Sequence, residues 1–163
     1  MQQGSPMNEY VVVSNATPII FFQNIGYLYL LKSLYGKIHI PKAVYDEIMV
    51  DHDFLSAIDW IKVVGIRNID AKHLFRTGLH AGEVEAIILS TEMSADLLIL
   101  DDLLARKHAK LMGISITGTL GVLITLKNKD IIQSIKPFIK QLIAVGMYID
   151  DKLYAKALSA VNE

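Results

Sequence analysis

GEVEAIILSTEMSADLLILDD, from Gly82 to Asp102, decides how the chain is read. Val84, Ile87, Ile88 and Thr91 recur at i, i+3, i+4 and i+7, which is one face of a helix, and Ala86 and Leu89 widen that face until it is apolar nearly all round. This is the pattern of a buried helix. Ser94-Ala95-Asp96 breaks the period, and Leu97-Leu98-Ile99-Leu100 is an unbroken apolar run suited to a parallel strand covered on both faces. The run stops at Asp101-Asp102. Ligands of open α/β sheets gather beyond the carboxyl ends of strands, so two carboxylates there stand where a site belongs. Glu83, in the first turn of the preceding helix, is within reach of the same end.

These acids differ in what they can do. Glu83 and Glu85 are two apart, about 200° around a helix axis, so they cannot both face one site and one of them is expected in solvent. Helix N-termini also favour acids for their own sake. Asp101 is harder to dismiss, because a carboxylate closing an apolar strand is costly unless hydrated, paired or bound to a cation. Asp102 reads as the N-cap of a helix that begins Leu103-Leu104-Ala105-Arg106. Asp101 is therefore the site residue and Asp102 a cap or support.

The 163 residues suit one domain, placed at 10–163, with residues 1–9 as a polar, flexible tail. Sixteen Lys and Arg against seventeen Asp and Glu leave a net charge of -1, so no global basic field points to nucleic acid and any such contact is local. An apolar share of 52% is high and favours surface covered by a partner or a second copy. The longest apolar stretch, Pro18 to Leu31, is interrupted and too short to span a bilayer. No Lys or Arg precedes Lys32, hence no signal-peptide n-region, and the expected place is the cytoplasm. The absence of cysteine excludes disulfides, thiol nucleophiles and thiolate metal sites.

Outward from the central stretch the chain alternates. Tyr10 to Val13 reads as a strand, and Ser14-Asn15-Ala16-Thr17-Pro18 as a turn into a helix, with Pro18 near its start. Asn15 thus lies, like Asp101, just past an apolar strand; its ordinary alternative is a helix cap. Two helical runs to Tyr35 are separated at Gly26, and their aromatics Phe21, Phe22, Tyr27 and Tyr29 suit a core or subunit interface. Lys37 to Ile40 is a strand and Pro41 opens a helix in which Val44 and Ile48 face inward with Asp46 and Glu47 between them. Asp51-His52-Asp53 is a turn. Phe54 to Trp60 reads as a helix, Ile61 to Val64 as a strand, and Asp70 as the cap of a helix to Phe75, after which Thr77-Gly78 leads into the central helix. Beyond Asp102, Arg106 and Lys110 share a helix face and could hold phosphates. Ile114 to Ile116 is a strand ending in Thr117-Gly118-Thr119, whose following helix N-terminus offers N–H groups to a phosphate. Ser134 is expected to cap a helix to Val145, Met147 to Ile149 to form a brief strand, and Asp150 to cap the last helix. Strands alternating with helices call for a three-layer α/β/α domain with a mainly parallel sheet of four to five strands.

The motifs VVSNATPII, IPKAVYDEI, GEVEAIILS, LLILDDLLAR and ITGTLGVL, in this order, resemble the PIN-domain family of metal-dependent ribonucleases, near its prokaryotic toxin branch. The resemblance runs from Val11 to the last helix. It implies an acidic site on Asn15, Glu47, Glu83 and Asp101 holding Mg²⁺ or Mn²⁺, with Glu83 preferred to Glu85 by its separation from Asp101. Asn15 departs from the Asp of the wider family; its amide oxygen can ligate a hard cation but brings no charge. Implied too are RNA of single-stranded character as substrate, a small antitoxin as partner and a homodimer. Thr117, Thr119, Arg106 and Lys110 would hold phosphate or steer the RNA backbone. The rival function is a binding module for nucleic acid or protein that keeps the fold without the metal. A phosphotransfer domain is disfavoured, because Ser14-Asn15 offers no second acidic pair.

Overall fold

The computed structural model describes residues 9–75 and 78–163. The tail expected at the N-terminus, apart from Glu9, and Thr77 of the turn before the central helix lie outside the described residues.

β1 (Val12–Ser14) is fully buried and ends one residue before α1 (Ala16–Asn24). Pro18 sits in the first turn of α1, where its missing N–H costs nothing. Gly26, at φ 80°, separates α1 from α2 (Tyr29–Tyr35), and Gly36, at φ 73°, ends α2 ahead of β2 (Ile38–Ile40). Pro41 is the N-cap of α3 (Lys42–Asp51), which buries Val44 and Ile48 four residues apart. The helix expected from Phe54 to Trp60 is a short 3₁₀ turn, Phe54–Ala57, before β3 (Ile61–Val63). Another 3₁₀ segment, Ile69–Leu74, is capped by Asn68, whose side chain accepts the Ala71 N–H; Asp70 lies inside its first turn and is not the cap. α4 (Ala81–Glu92) is the central helix, and β4 (Leu97–Ile99) follows it. Asp102 caps α5 (Leu103–Leu111) by accepting the Ala105 N–H at 2.8 Å. β5 (Ile116–Thr117), α6 (Thr119–Asn128), α7 (Lys136–Ala144) and α8 (Asp151–Ala160) complete the chain. Ile135, not Ser134, occupies the cap position of α7, and its N–H is taken by the Glu163 carboxylate. Asp150 caps α8. Met147 to Ile149 forms no strand, since no neighbour offers it a ladder of hydrogen bonds.

The five strands form one parallel sheet in the order β3-β2-β1-β4-β5. Side chains alternate across it. Val12 and Ile99 join a larger core with α1, α2, α3, α6, α7 and α8, while Val13, Leu98 and Leu100 join a smaller one under α4 and α5. Ile87 and Leu89 of α4 are completely or almost completely buried, each worth about 1.5–3 kcal/mol of apolar burial. The aromatic expectation divides: Phe22 is core, Tyr27 packs edge-on against Phe138 with centroids 4.9 Å apart, and Tyr29 is exposed. Chain order runs outward from β1 in one direction and from β4 in the other. The sheet therefore reverses between these two strands, and their carboxyl ends lie level, with Ser14 beside Ile99. Among the described residues no helix is long and apolar enough to cross a membrane.

Candidate active site at the carboxyl edge of the sheet

At the reversal the two central strands each release one polar residue. Asn15 is anchored by its own N–H to Ile99 O at 3.0 Å. It occupies the N-cap position of α1, yet its side chain makes no cap bond, so the cap alternative does not account for it. Asn15 is only 4% exposed, and among the described residues nothing hydrogen-bonds to its Oδ1. A buried acceptor left unpaired costs on the order of 1–3 kcal/mol, which makes this oxygen a strained feature of the edge. Gly82, at the start of α4, closes over it: a methyl group on Gly82 would lie 3.4 Å from Asn15 Oδ1, 2.8 Å from Glu47 Oε2 and 3.3 Å from Val44 Cγ2. Asn15 and Glu47 thus border the same point. Glu47 is otherwise exposed, as a mid-helix acid would be.

Glu83 follows Gly82 and is buried. Its Oε2 accepts the His80 N–H at 2.9 Å, the reciprocal half of a capping box. Burial pushes this carboxyl above its usual range, and the charges of Asp102 and Glu47 push the same way against the pull of the His80 bond. Glu85 overturns an expectation: neither acid of the pair is in solvent, because Glu85 turns away to Ala43 and Lys72 and is buried there.

Asp101 stands beyond β4 and, among the described residues, is held by Thr119. The Thr119 N–H donates to Oδ1 at 2.8 Å and the Thr119 hydroxyl to Oδ2 at 2.6 Å. A carboxylate has about four acceptor positions, so two remain free. A methyl group on Gly118 would fall 2.6 Å from Asp101 Oδ1 and 3.0 Å from Arg106 Nη1, so the turn leaves room for no side chain. Arg106 donates from Nη1 to Leu100 O at 2.8 Å, which ties its guanidinium to the same turn. Lys110 is not brought there; it is exposed in the last turn of α5, one further turn along the helix from Arg106. Thr117 lines a separate cavity of about 560 Å³ with Tyr10, Leu34, Tyr35, Leu97, Thr125 and Lys129.

Among the described residues no three His, Cys, Asp or Glu side chains cluster as a metal cage. The donor set nevertheless fits a hard divalent cation by its chemistry: Asn15 Oδ1 is orphaned, Asp101 keeps acceptor positions, and every donor is oxygen. The two glycines escaped the sequence reading. Gly82 opens a motif, but nothing local announces that Glu47 and Asn15 approach it; Gly118 between two threonines carried a turn signal only.

An open parallel sheet that reverses its order between two strands, with an amide and carboxylates above the reversal, defines an α/β domain with a candidate ligand site at its switch point. Residues 11–163 match the family DUF3368, described as a PIN domain, and the chain belongs to this PIN-domain family. PIN domains are typically nucleases that bind nucleic acid and use divalent metals. The fold is similar to that of a PilT N-terminus domain protein from the hyperthermophilic archaeon Sulfolobus solfataricus P2, at 23% identity and a TM-score of 0.56 over 71% of this chain and 92% of that one. No curated protein matches the sequence.

Proposed function

We propose that this PIN domain is a metal-dependent endoribonuclease. What carries the reading is Asn15 Oδ1, a buried oxygen without a donor at the switch point, beside Glu47 Oε2 at Gly82. Asn15, Glu47, Glu83 and Asp101 would hold Mg²⁺ or Mn²⁺, which supplies activation of water and charge neutralisation at a phosphodiester. The chain's own contribution is orientation. Thr119 fixes Asp101 from two sides, so the remaining lone pairs of that carboxylate point in a set direction. Arg106, held to Leu100 O, presents a positive charge beside the edge to an approaching phosphate. Single-stranded RNA is the proposed substrate, and Thr117, which ends β5 and lines the cavity with Tyr35 and Lys129, and Lys110, a turn beyond Arg106, would at most touch its flanks.

We further propose a toxin role in the cytoplasm with a small antitoxin, and a homodimer. The apolar share of the sequence and the exposed Leu74, Leu103 and Leu111 support covered surface. A short adjacent open reading frame and light scattering of the purified chain test these two points. The second reading, a binding module, is favoured by one observation: Asn15 gives the edge an uncharged donor where a carboxylate would bind a cation more tightly.

The deciding experiment is cleavage of a mixed RNA pool with Mn²⁺, Mg²⁺ or EDTA by the natural chain, Asp101→Asn and Asn15→Asp. Cutting by the natural chain only with metal, abolished by Asp101→Asn, supports the nuclease. Cutting by Asn15→Asp alone makes the natural chain a binding module.

A further inference from the structure

Glu85 is a buried acid for which the proposed chemistry has no use. Its Oε1 accepts the N–H of Ala43 at 3.1 Å and its Oε2 pairs with Lys72 Nζ at 2.7 Å. Ala43 is the second residue of α3, a helix whose N-cap is Pro41 and whose first turn holds no acid. The first N–H groups of a helix have no partner within it, and Pro41 has no side-chain acceptor to offer. A carboxylate from α4 therefore takes over the capping of α3, and sits at the positive end of its dipole.

The same helix carries Glu47. Ala43 and Glu47 are four residues apart and share a face, while Gly82 and Glu85 are three apart and share the facing side of α4. Gly82 meets Glu47 and Val44; Glu85 meets Ala43 one turn earlier on α3 and one turn later on α4. These two contacts tie α3 to α4 at two points and so limit how far one helix can slide along the other. One is a close approach and the other a hydrogen bond. Lys72 completes the bonding of Glu85, so both oxygens of this carboxylate are engaged by α3 and Lys72.

We propose that Glu85 is a positioning residue, a cap delivered from α4 that locks α3 in register and so keeps the Glu47 carboxylate beside Asn15 Oδ1. The two acids of Gly82-Glu83-Val84-Glu85 then divide their tasks, Glu83 to the sheet edge and Glu85 to the neighbouring helix. The inference rests on Glu47 and Asn15 being cation donors, as in the function proposed above.

Two conservative variants separate the bond from the charge. Glu85→Gln keeps an acceptor oxygen at the same reach and loses the charge; Glu85→Asp keeps the charge and falls one methylene short of Ala43. Mn²⁺ affinity is read from the loss of the free-ion electron paramagnetic resonance signal, and the Ala43 amide from hydrogen exchange. Glu85→Asp should lose about tenfold in Mn²⁺ affinity together with protection at Ala43, as removal of a group that orients a ligand commonly does, while Glu85→Gln stays within about twofold. Glu47→Gln should weaken binding in the natural chain but add less than about twofold in the Glu85→Asp background, because one variant acts through the other. A merely structural brace would lower the melting temperature and leave Mn²⁺ affinity unchanged, and that result overturns the inference. So would losses from Glu85→Asp and Glu47→Gln that multiply independently. If the natural chain itself binds no Mn²⁺, it is the metal-dependent nuclease that fails first, and the two failures are told apart.

Discussion

Asn15 carries a cost that a donor or a cation at the edge would remove. Its amide oxygen is buried without a donor, and an Asp of the same shape would place a charge there beside Glu47. In EDTA at neutral pH, Asn15→Asp should therefore unfold more easily than the natural chain, by about 3 kcal/mol for an uncompensated buried charge. Mn²⁺ should restore more stability to this variant than to the natural chain, since a cation held by the folded state alone shifts the equilibrium toward it. Calorimetry with and without the metal reads both effects; equal melting in EDTA would mean that the side chain at 15 reaches solvent. Gly82 makes a complementary case. Gly82→Ala gains about 1 kcal/mol of helix propensity, while its methyl group displaces the flexible end of Glu47. We expect a melting temperature unchanged or raised and RNA cleavage reduced. Cleavage at the natural rate would show that the place of Glu47 is immaterial.

At the scale of elements, side chains that reach across the chain hold what local patterns do not. Glu92, at the carboxyl end of α4, stands where the helix dipole disfavours an acid, yet it accepts N–H groups from Arg67 and Asn68 at 2.8–2.9 Å. The Asn68 N–H, followed by the Arg67 contacts, holds this carboxyl below its usual range despite some burial. The folded value lies under the ordinary 4.5, so its stabilisation is complete above that pH and is lost as pH falls through the folded value. Glu92→Ala should cost about 2 kcal/mol at neutral pH, and the two melting curves should converge as pH falls below the ordinary carboxylate range. A difference independent of pH would assign the loss to packing. The same distinction explains what could be read from sequence. The helix at Gly82, the strand before Asp101, and the caps Asp102 and Asp150 follow from periods and turn residues within a few positions. Glu85 misled because its partner Ala43 is 42 residues away. Met147 to Ile149 has the composition of a strand but no neighbour to pair with, and Asn68 outcompeted Asp70 by standing one residue ahead of the turn. Asn15 and Asp101 were legible as residues ending strands; that those strands are neighbours at the reversal is a property of the sheet.

For the molecule as a whole, charge constrains how RNA could be held. A net charge of -1 leaves no broad attractive field; Arg106, tied to Leu100 O, stands beside the edge, and Lys107 and Lys110 are exposed on the same helix. Binding of a single strand would then release few counterions. For two or three phosphates neutralised, log K should fall with log salt at a slope of about -1.4 to -2. The measurement uses Asp101→Asn in EDTA, so that no strand is cut while affinity is titrated. Arg106→Gln should flatten the slope by about 0.7, the share of one phosphate. A Thr117→Val change, at the cavity lined with Leu34, Tyr35 and Lys129, should leave it alone. A much steeper slope, unaffected by Arg106→Gln, would move the RNA path off α5 to another face, and with it the assignment of the edge as the place where the strand is held.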